Sequence, residues 1–271
     1  MFEQEVGMGL AGRARALWQH RRVLGLLIMR DLKVRYAGSV LGYFWTILDP
    51  LLMTGVYWFV FTVVFTRGSI GEEPYILFLV LGLLSWQWFS SSVTETSRAL
   101  TSESRLVRST RLPREIWVLK VVGSKGLEFL FSLPVVVIFM IAYRKPPAIE
   151  VLLFPLAIVM EAVLLTGIGL ALAAATVLVR DLQRVVRIGL RVMFYLSPVI
   201  YSIQRIDIEA VRKLFALNPL TGIIELFRSA LFPAVFAGWK IVGVSAAICV
   251  GSLFFGAWVF KRLESAVLKE L

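Results

Sequence analysis

The sequence predicts an all-α integral membrane protein with six transmembrane helices per subunit, and three observations carry that expectation. Hydrophobic residues make up 58% of the 271-residue chain, and the mean hydropathy is +0.80. A soluble domain of this length cannot bury so much apolar surface, so lipid must face part of it. Six long apolar stretches occupy 43–66, 75–93, 121–143, 151–179, 188–203 and 241–260, most of them near the roughly 20 residues a helix needs to cross a bilayer. Threaded in order, these stretches put 21 of the 29 Lys and Arg residues on one side. The positive-inside rule makes that side cytoplasmic and places both termini there.

Residues 1–42 read as a cytoplasmic N-terminal segment. Residues 1–9 are acidic and lack a basic stretch followed by an apolar core, so no cleavable signal peptide is expected. Leu10, Leu17, Leu24, Leu27, Ile28 and Leu32 then recur near helical spacing, interrupted by Arg13, Arg15, Arg21, Arg22 and Arg30. That pattern predicts an amphipathic helix lying on the inner leaflet; a cytoplasmic helix packed on a partner is the alternative. Gly38 and Ser39 mark a break before the first span. Inside that span, Pro50 removes a backbone donor and kinks the helix. The adjacent Asp49 would cost about 2.5–3.5 kcal/mol against lipid, so it should face protein or water.

Residues 43–260 form a single six-span domain. Its longest and most charged inner segment runs from 94 to 120, where 101–109 can form a short polar helix and Pro113 restarts the chain. Pro146 and Pro147 mark a tight outer loop, and 180–191 is a short inner connection. The outer segment 202–240 is apolar in pieces broken by Pro219, Gly222, Pro233 and Gly238. No piece can cross a bilayer, so it suggests re-entrant or interfacial helices, with a compact outer cap as the alternative. Trp45, Trp88, Trp117, Trp239 and Trp258 fall near expected membrane boundaries, where indole is favoured; Trp58 and Trp86 lie deeper. Residues 261–271 are a short cytoplasmic tail.

Several chemistries lack their residues. The net charge of +11 sits at helix ends, where topology explains it, so nucleic-acid binding is not expected. One Cys (Cys249) and one His (His20) make no metal site. There is no G-x-x-x-x-G-K-[ST], so the chain does not cradle a nucleotide by a P-loop, and no G-x-S-x-G elbow for esterase chemistry. An enzyme is not expected, and no cofactor is expected in this chain. Glu95, Glu128 and Glu161 lie in or at the ends of spans and could line a proton pathway. Buried carboxylates satisfied by neighbouring helices are the competing reading.

Four segments then resemble one family. Arg30-Asp31-Leu32-Lys33-Val34-Arg35-Tyr36 leads into Leu41-Gly42-Tyr43-Phe44-Trp45 and Asp49-Pro50-Leu51. Leu112-Pro113-Arg114-Glu115-Ile116 follows the second span, and Arg180-Asp181-Leu182 follows the fourth. Phe194-Tyr195-Leu196-Ser197-Pro198-Val199-Ile200-Tyr201 leads to Asn218-Pro219-Leu220. In order and spacing these are similar to the type-2 ABC exporter permeases for O-antigen, capsule and teichoic acid, over nearly the whole chain. The resemblance implies a homodimer in a bacterial cytoplasmic membrane with two copies of a separate P-loop ATPase, where ATP and Mg would bind. It implies export of a polysaccharide linked to a polyprenyl diphosphate, a surface helix at the N-terminus, and gating helices between spans five and six. An ABC permease for a drug or simple lipid, or an ion-coupled carrier using Glu128 and Glu161, are the alternatives.

Under that resemblance, residues 98–115 become the coupling segment to the ATPase. Arg105, Arg108 and Arg111 recur at spacing three and can face one side, ending at Pro113, Arg114 and Glu115. Arg30, Lys33 and Arg35 are the candidates for a lipid diphosphate, since guanidinium binds phosphate oxygens in pairs; topology and anionic-lipid contact would explain the same charges. Tyr57, Trp58 and Phe61 on span one, with Tyr195 and Tyr201 on span five, are candidates for a glycan path. Packing or lipid-facing aromatics would look the same in sequence.

Overall fold

A computed structural model describes residues 10–64, 71–110, 112–236 and 238–270. Those residues form helices joined by turns, with no strand among them. Five helical segments are long and apolar enough to cross a membrane: Gly42–Phe61, Tyr75–Thr96, Glu115–Ala142, Ile149–Leu178 and Trp239–Glu270. They match five of the six expected spans. The last two residues of the first expected span, Phe65 and Thr66, lie outside the described residues.

The amphipathic stretch at the N-terminus divides in two, α1 (Leu10–Gln19) and α2 (Arg21–Tyr36), with a turn at His20. Helix α3 (Trp45–Trp58) follows a 3-10 turn and contains Pro50. It continues into a π-helical turn, Phe59–Val64. Helix α4 (Tyr75–Thr96) is buried along most of its length. It is the central post of the bundle rather than a lipid-facing span.

The expected coupling segment folds as two short helices, α5 (Ala99–Ser102) and α6 (Ser104–Ser109). Helix α7 (Glu115–Ala142) then crosses beside α2, α3 and α4. Helix α8 (Phe154–Leu178) and the final helix α12 (Trp239–Glu270) form the most extensive pairing in the molecule. A side chain at Gly167 would collide with the Ser252 backbone, and one at Gly256 with the Gly167 carbonyl. Small residues thus let two backbones touch, which is how helices pack where lipid removes the hydrophobic drive. Helix α12 runs on through Lys261, so the expected tail continues the last span.

The fifth expected span differs most. Residues 188–203 are not one helix. Helix α9 (Leu182–Tyr195) has 14 residues, about 21 Å at 1.5 Å per residue, short of a 30 Å hydrocarbon core. The chain turns through Leu196–Tyr201, where Pro198 supplies no backbone N–H. Two short helices follow, α10 (Glu209–Ala216), largely exposed, and α11 (Pro219–Ser229), buried from Leu220 to Ser229. Two of the boundary tryptophans also differ. Trp88 and Trp117 are buried in the core, where aromatic and aliphatic neighbours cover them, while Trp45, Trp239 and Trp258 are exposed.

Candidate functional site

Two regions gather the functional side chains: a charged cluster joining α2, α4, α7 and the turn between α5 and α6, and an aromatic groove between α3, α4 and α9. They meet at Asp49 and Gln87, which line both the groove and a cavity of about 240 Å³ beside the cluster.

The cluster begins on α2. Leu24, Leu27, Ile28 and Leu32 recur on one helical face, and that face packs on the core, with Ile28 set against Gly123 of α7. This seat aims Asp31 and Arg35 at the same helix. Lys120, whose side chain is 6% exposed, pairs with Asp31 at 3.1 Å and with Glu103. Glu103 also accepts from Arg30 at 2.9 Å. Deeper, Arg35 reaches Glu95 at 2.7 Å and Glu128 at 2.9 Å. Lys125 bonds the same two carboxylates at 3.0 and 2.9 Å. Four cations thus face the four carboxylates Asp31, Glu95, Glu103 and Glu128. Burial pushes the Asp31 and Glu103 carboxyls up, but Lys120 and the arginines outweigh it and hold both below their ordinary values.

Glu103 sits in the turn between α5 and α6, so the expected coupling segment is tied directly to α2 and α7. Arg105 and Arg108 point outward from α6, whereas Val107 is buried. Arg111 lies outside the described residues. Pro113, Arg114 and Glu115 are buried, and Arg114 pairs with Glu264 of α12 at 2.7 Å. They anchor the start of α7 instead of offering a free surface. Of the expected diphosphate ligands, Arg30 and Arg35 are committed to carboxylates, which leaves Lys33 exposed on the far face of α2. Glu95 and Glu128, the expected candidates for a proton pathway, are held in ion pairs. Glu161 is fully buried and accepts from Ser85 Oγ at 3.1 Å.

The groove has a volume of about 760 Å³. Tyr57, Trp86, Phe194 and Tyr195 give it an aromatic wall, and Asp49, Gln87, Ser90 and Arg191 supply polar groups. The Tyr57 and Phe194 rings lie 5.9 Å apart, and Trp86 meets Phe194 edge-on at 5.4 Å. Phe61 stacks on Tyr57 at 6.4 Å. The predicted pair one turn apart on span one therefore forms, with Tyr57 on the groove and Phe61 behind it. Trp58 packs on the core instead. Asp49 meets a cavity, as its solvation cost demanded. Trp86 and Phe194 were missed in sequence; Trp86 stood out only as an indole too deep for the boundary. Such a lining, apolar walls with a few fixed polar groups, suits an amphipathic ligand.

Helix α11 packs on the start of α4 and on the turn after α9. The Arg228 guanidinium is fully buried and donates to the carbonyls of Phe78 at 3.1 Å and of Pro198, Val199 and Tyr201. A side chain at Gly82 would collide with Val199 and with that guanidinium. Asn218 caps α11 through the Leu220 N–H and donates to Leu196 O at 3.0 Å and Ser197 Oγ at 2.8 Å. The turn after α9 is thus held at both ends by α11. Tyr201 donates to Tyr195 O at 2.8 Å, which brings two of the expected path residues together.

A bundle of apolar helices with a charged cluster and an aromatic groove describes a membrane transport subunit. Residues 22–232 match the ABC-2 type transporter family, and the chain belongs to that family. It is 34% identical over 248 residues to the O-antigen export system permease protein RfbA of Myxococcus xanthus, covering 91% of this chain and 94% of that one. A protein of the same name from Klebsiella pneumoniae is 33% identical over 243 residues, covering 89% and 92%. The polysialic acid transport protein KpsM of Escherichia coli is 22% identical over 250 residues, covering 89% and 93%.

Proposed function

We propose that this chain is the membrane subunit of a bacterial ABC exporter that passes a lipid-linked polysaccharide outward through the groove between α3, α4 and α9. The observation that carries the reading is the aromatic groove. Its rings can stack on the C–H faces of sugars, and its polar groups can meet hydroxyls. The names of the relatives point to the same class of cargo, O-antigen and polysialic acid.

The working unit is a homodimer with two copies of a separate ATPase, in the bacterial cytoplasmic membrane. The chain crosses six times, with both ends cytoplasmic. Two contacts support that count. The Arg114–Glu264 pair joins the start of α7 to the far end of α12. The hydrogen bond from Ala148 N to Ala230 O, 2.8 Å, joins the loop after α7 to the end of α11. Helix α8 returns the chain to the first side, so α9 and the turn after it must bring it back. In this reading α11 is re-entrant and α10 interfacial, and together they gate the exit.

ATP binding by the partner would press on Arg105, Leu106 and Arg108 of α6. Glu103 would pass the motion to α2 and α7, whose partner helices α3 and α4 wall the groove. Glu95 and Glu128 are each paired with Arg35 and Lys125, the structural role of a buried carboxylate, which argues against an ion-coupled carrier. Deleting the gene and restoring it on a plasmid tests the reading. Loss of surface polysaccharide with polymer retained inside the cell, reversed by the plasmid, is the expected result. Unchanged surface polysaccharide would overturn it.

A further inference from the structure

The charged cluster does not claim every cation, and one set stands in a row on α9. Arg184, Arg187 and Arg191 are exposed on α9. Among the described residues, the side chains of these three make no ion pair or hydrogen bond with protein. At 3.6 residues per turn, these three positions and Tyr195 fall within an arc of about 80°. The opposite face, with Val186, Leu190 and Met193, packs on the bundle. The arginines therefore form a ladder ending at the groove, which Arg191 and Tyr195 both line.

Topology alone does not call for this arrangement. A positive-inside signal needs charge near the inner end of a helix, on any face. Arg191 stands about 13 Å along α9 from Leu182 at the helical rise, aligned with an aromatic wall. A guanidinium at that depth is tolerated against water or protein, not lipid. One carboxylate, Asp49, lines the groove with it, so the groove lining itself is balanced and the excess positive charge of the ladder lies in Arg184 and Arg187, before the groove.

We propose that Arg184, Arg187 and Arg191 form the binding ladder for the phosphate-bearing head of the exported substrate and guide it along α9 to the groove. This rests on the export reading above. Each guanidinium offers a planar fork of donors matched to phosphate oxygens. Successive arginines lie three and four residues apart, about one helical turn, so a head with two adjacent phosphates can engage two at once. The role expected for Arg30 and Arg35 thereby passes to α9, where the cations are not already neutralised.

The test uses the full chain with its co-expressed ATPase, in nanodiscs of neutral lipid, with radiolabelled farnesyl diphosphate as probe. Saturable binding is expected, displaced by inorganic pyrophosphate and not by farnesol. The double variant Arg187→Gln/Arg191→Gln should weaken it at least tenfold. Arg187→Lys/Arg191→Lys keeps the charge that orients the helix, so it guards against misinsertion; it should weaken binding by a smaller factor. Equal binding by the wild type and the Gln pair would overturn the ladder. So would displacement by phosphatidylglycerol as effective as by pyrophosphate, which would assign the arginines to bilayer lipid. If the wild type restores surface polysaccharide while the Gln pair binds the probe normally, the ladder fails and the export reading stands.

Discussion

Glu103 joins the expected coupling segment to two other helices, and its two partners differ in burial. Lys120 is 6% exposed at its side chain, whereas Arg30 is 46% exposed. Breaking a fully buried pair costs about 3–5 kcal/mol. Here Lys120 keeps Asp31 at 3.1 Å, so the coupling between Glu103 and Lys120 should be about 1–3 kcal/mol. An exposed pair such as Glu103–Arg30 is worth about 0.2–1 kcal/mol. Two double-mutant cycles separate them: Glu103→Gln with Lys120→Met, and Glu103→Gln with Arg30→Gln. Stability is read from SDS-titrated unfolding of the purified chain in mixed micelles. The first cycle should show a coupling of about fivefold or more in the unfolding equilibrium, at 1.4 kcal/mol per tenfold, and the second clearly less. Equal couplings, or none between Glu103 and Lys120, would refute the claim that Glu103 ties the segment to the bundle.

Other perturbations have distinct signatures. Gly167→Leu should abolish accumulation of folded chain, because its side chain meets the Ser252 backbone, while Gly25→Ala, with nothing within 4 Å, should be neutral; protease resistance in membranes separates the two. Tyr195→Ala removes a 67%-exposed ring, so stability should change by about 0.5 kcal/mol or less while surface polysaccharide falls several-fold. Stability from Asp31 and Glu103 is present above their ordinary values of 3.8 and 4.5 and is lost as pH falls through their lower folded values. The SDS-unfolding midpoint of the purified chain should therefore hold at pH 5 and fall only at pH below those ordinary values; a loss centred near pH 6 would contradict the assignment.

The spans were legible because lipid imposes a composition that any 20-residue window reveals. The continuity of the fifth was misread because hydropathy is blind to it: 188–203 reads as one apolar stretch, but the helix ends at Tyr195, and Pro198 and α11 hold the turn that follows. The path aromatics were legible only in part. Tyr57 and Phe61 follow from helical spacing, but Phe194 joins them across a distance no periodicity encodes. Arg228 could have been noticed as an arginine inside the apolar run before Phe236; its four carbonyl partners could not. The inner cluster was the least legible. Arg30 and Glu103, or Asp31 and Ser124, are 73 and 93 residues apart. Sequence shows charges and not their pairing, so Arg30 and Arg35, which looked available on α2, are occupied, while Arg184, Arg187 and Arg191 on α9 make no ion pair among the described residues.

The most direct measurement is purification of the tagged chain in mild detergent, with mass spectrometry of bound proteins and an ATPase assay of the eluate. A P-loop ATPase at one copy per chain, hydrolysing ATP, is the expected result. A chain without ATPase, isolated where a known ABC complex survives the same detergent, would contradict the central claim.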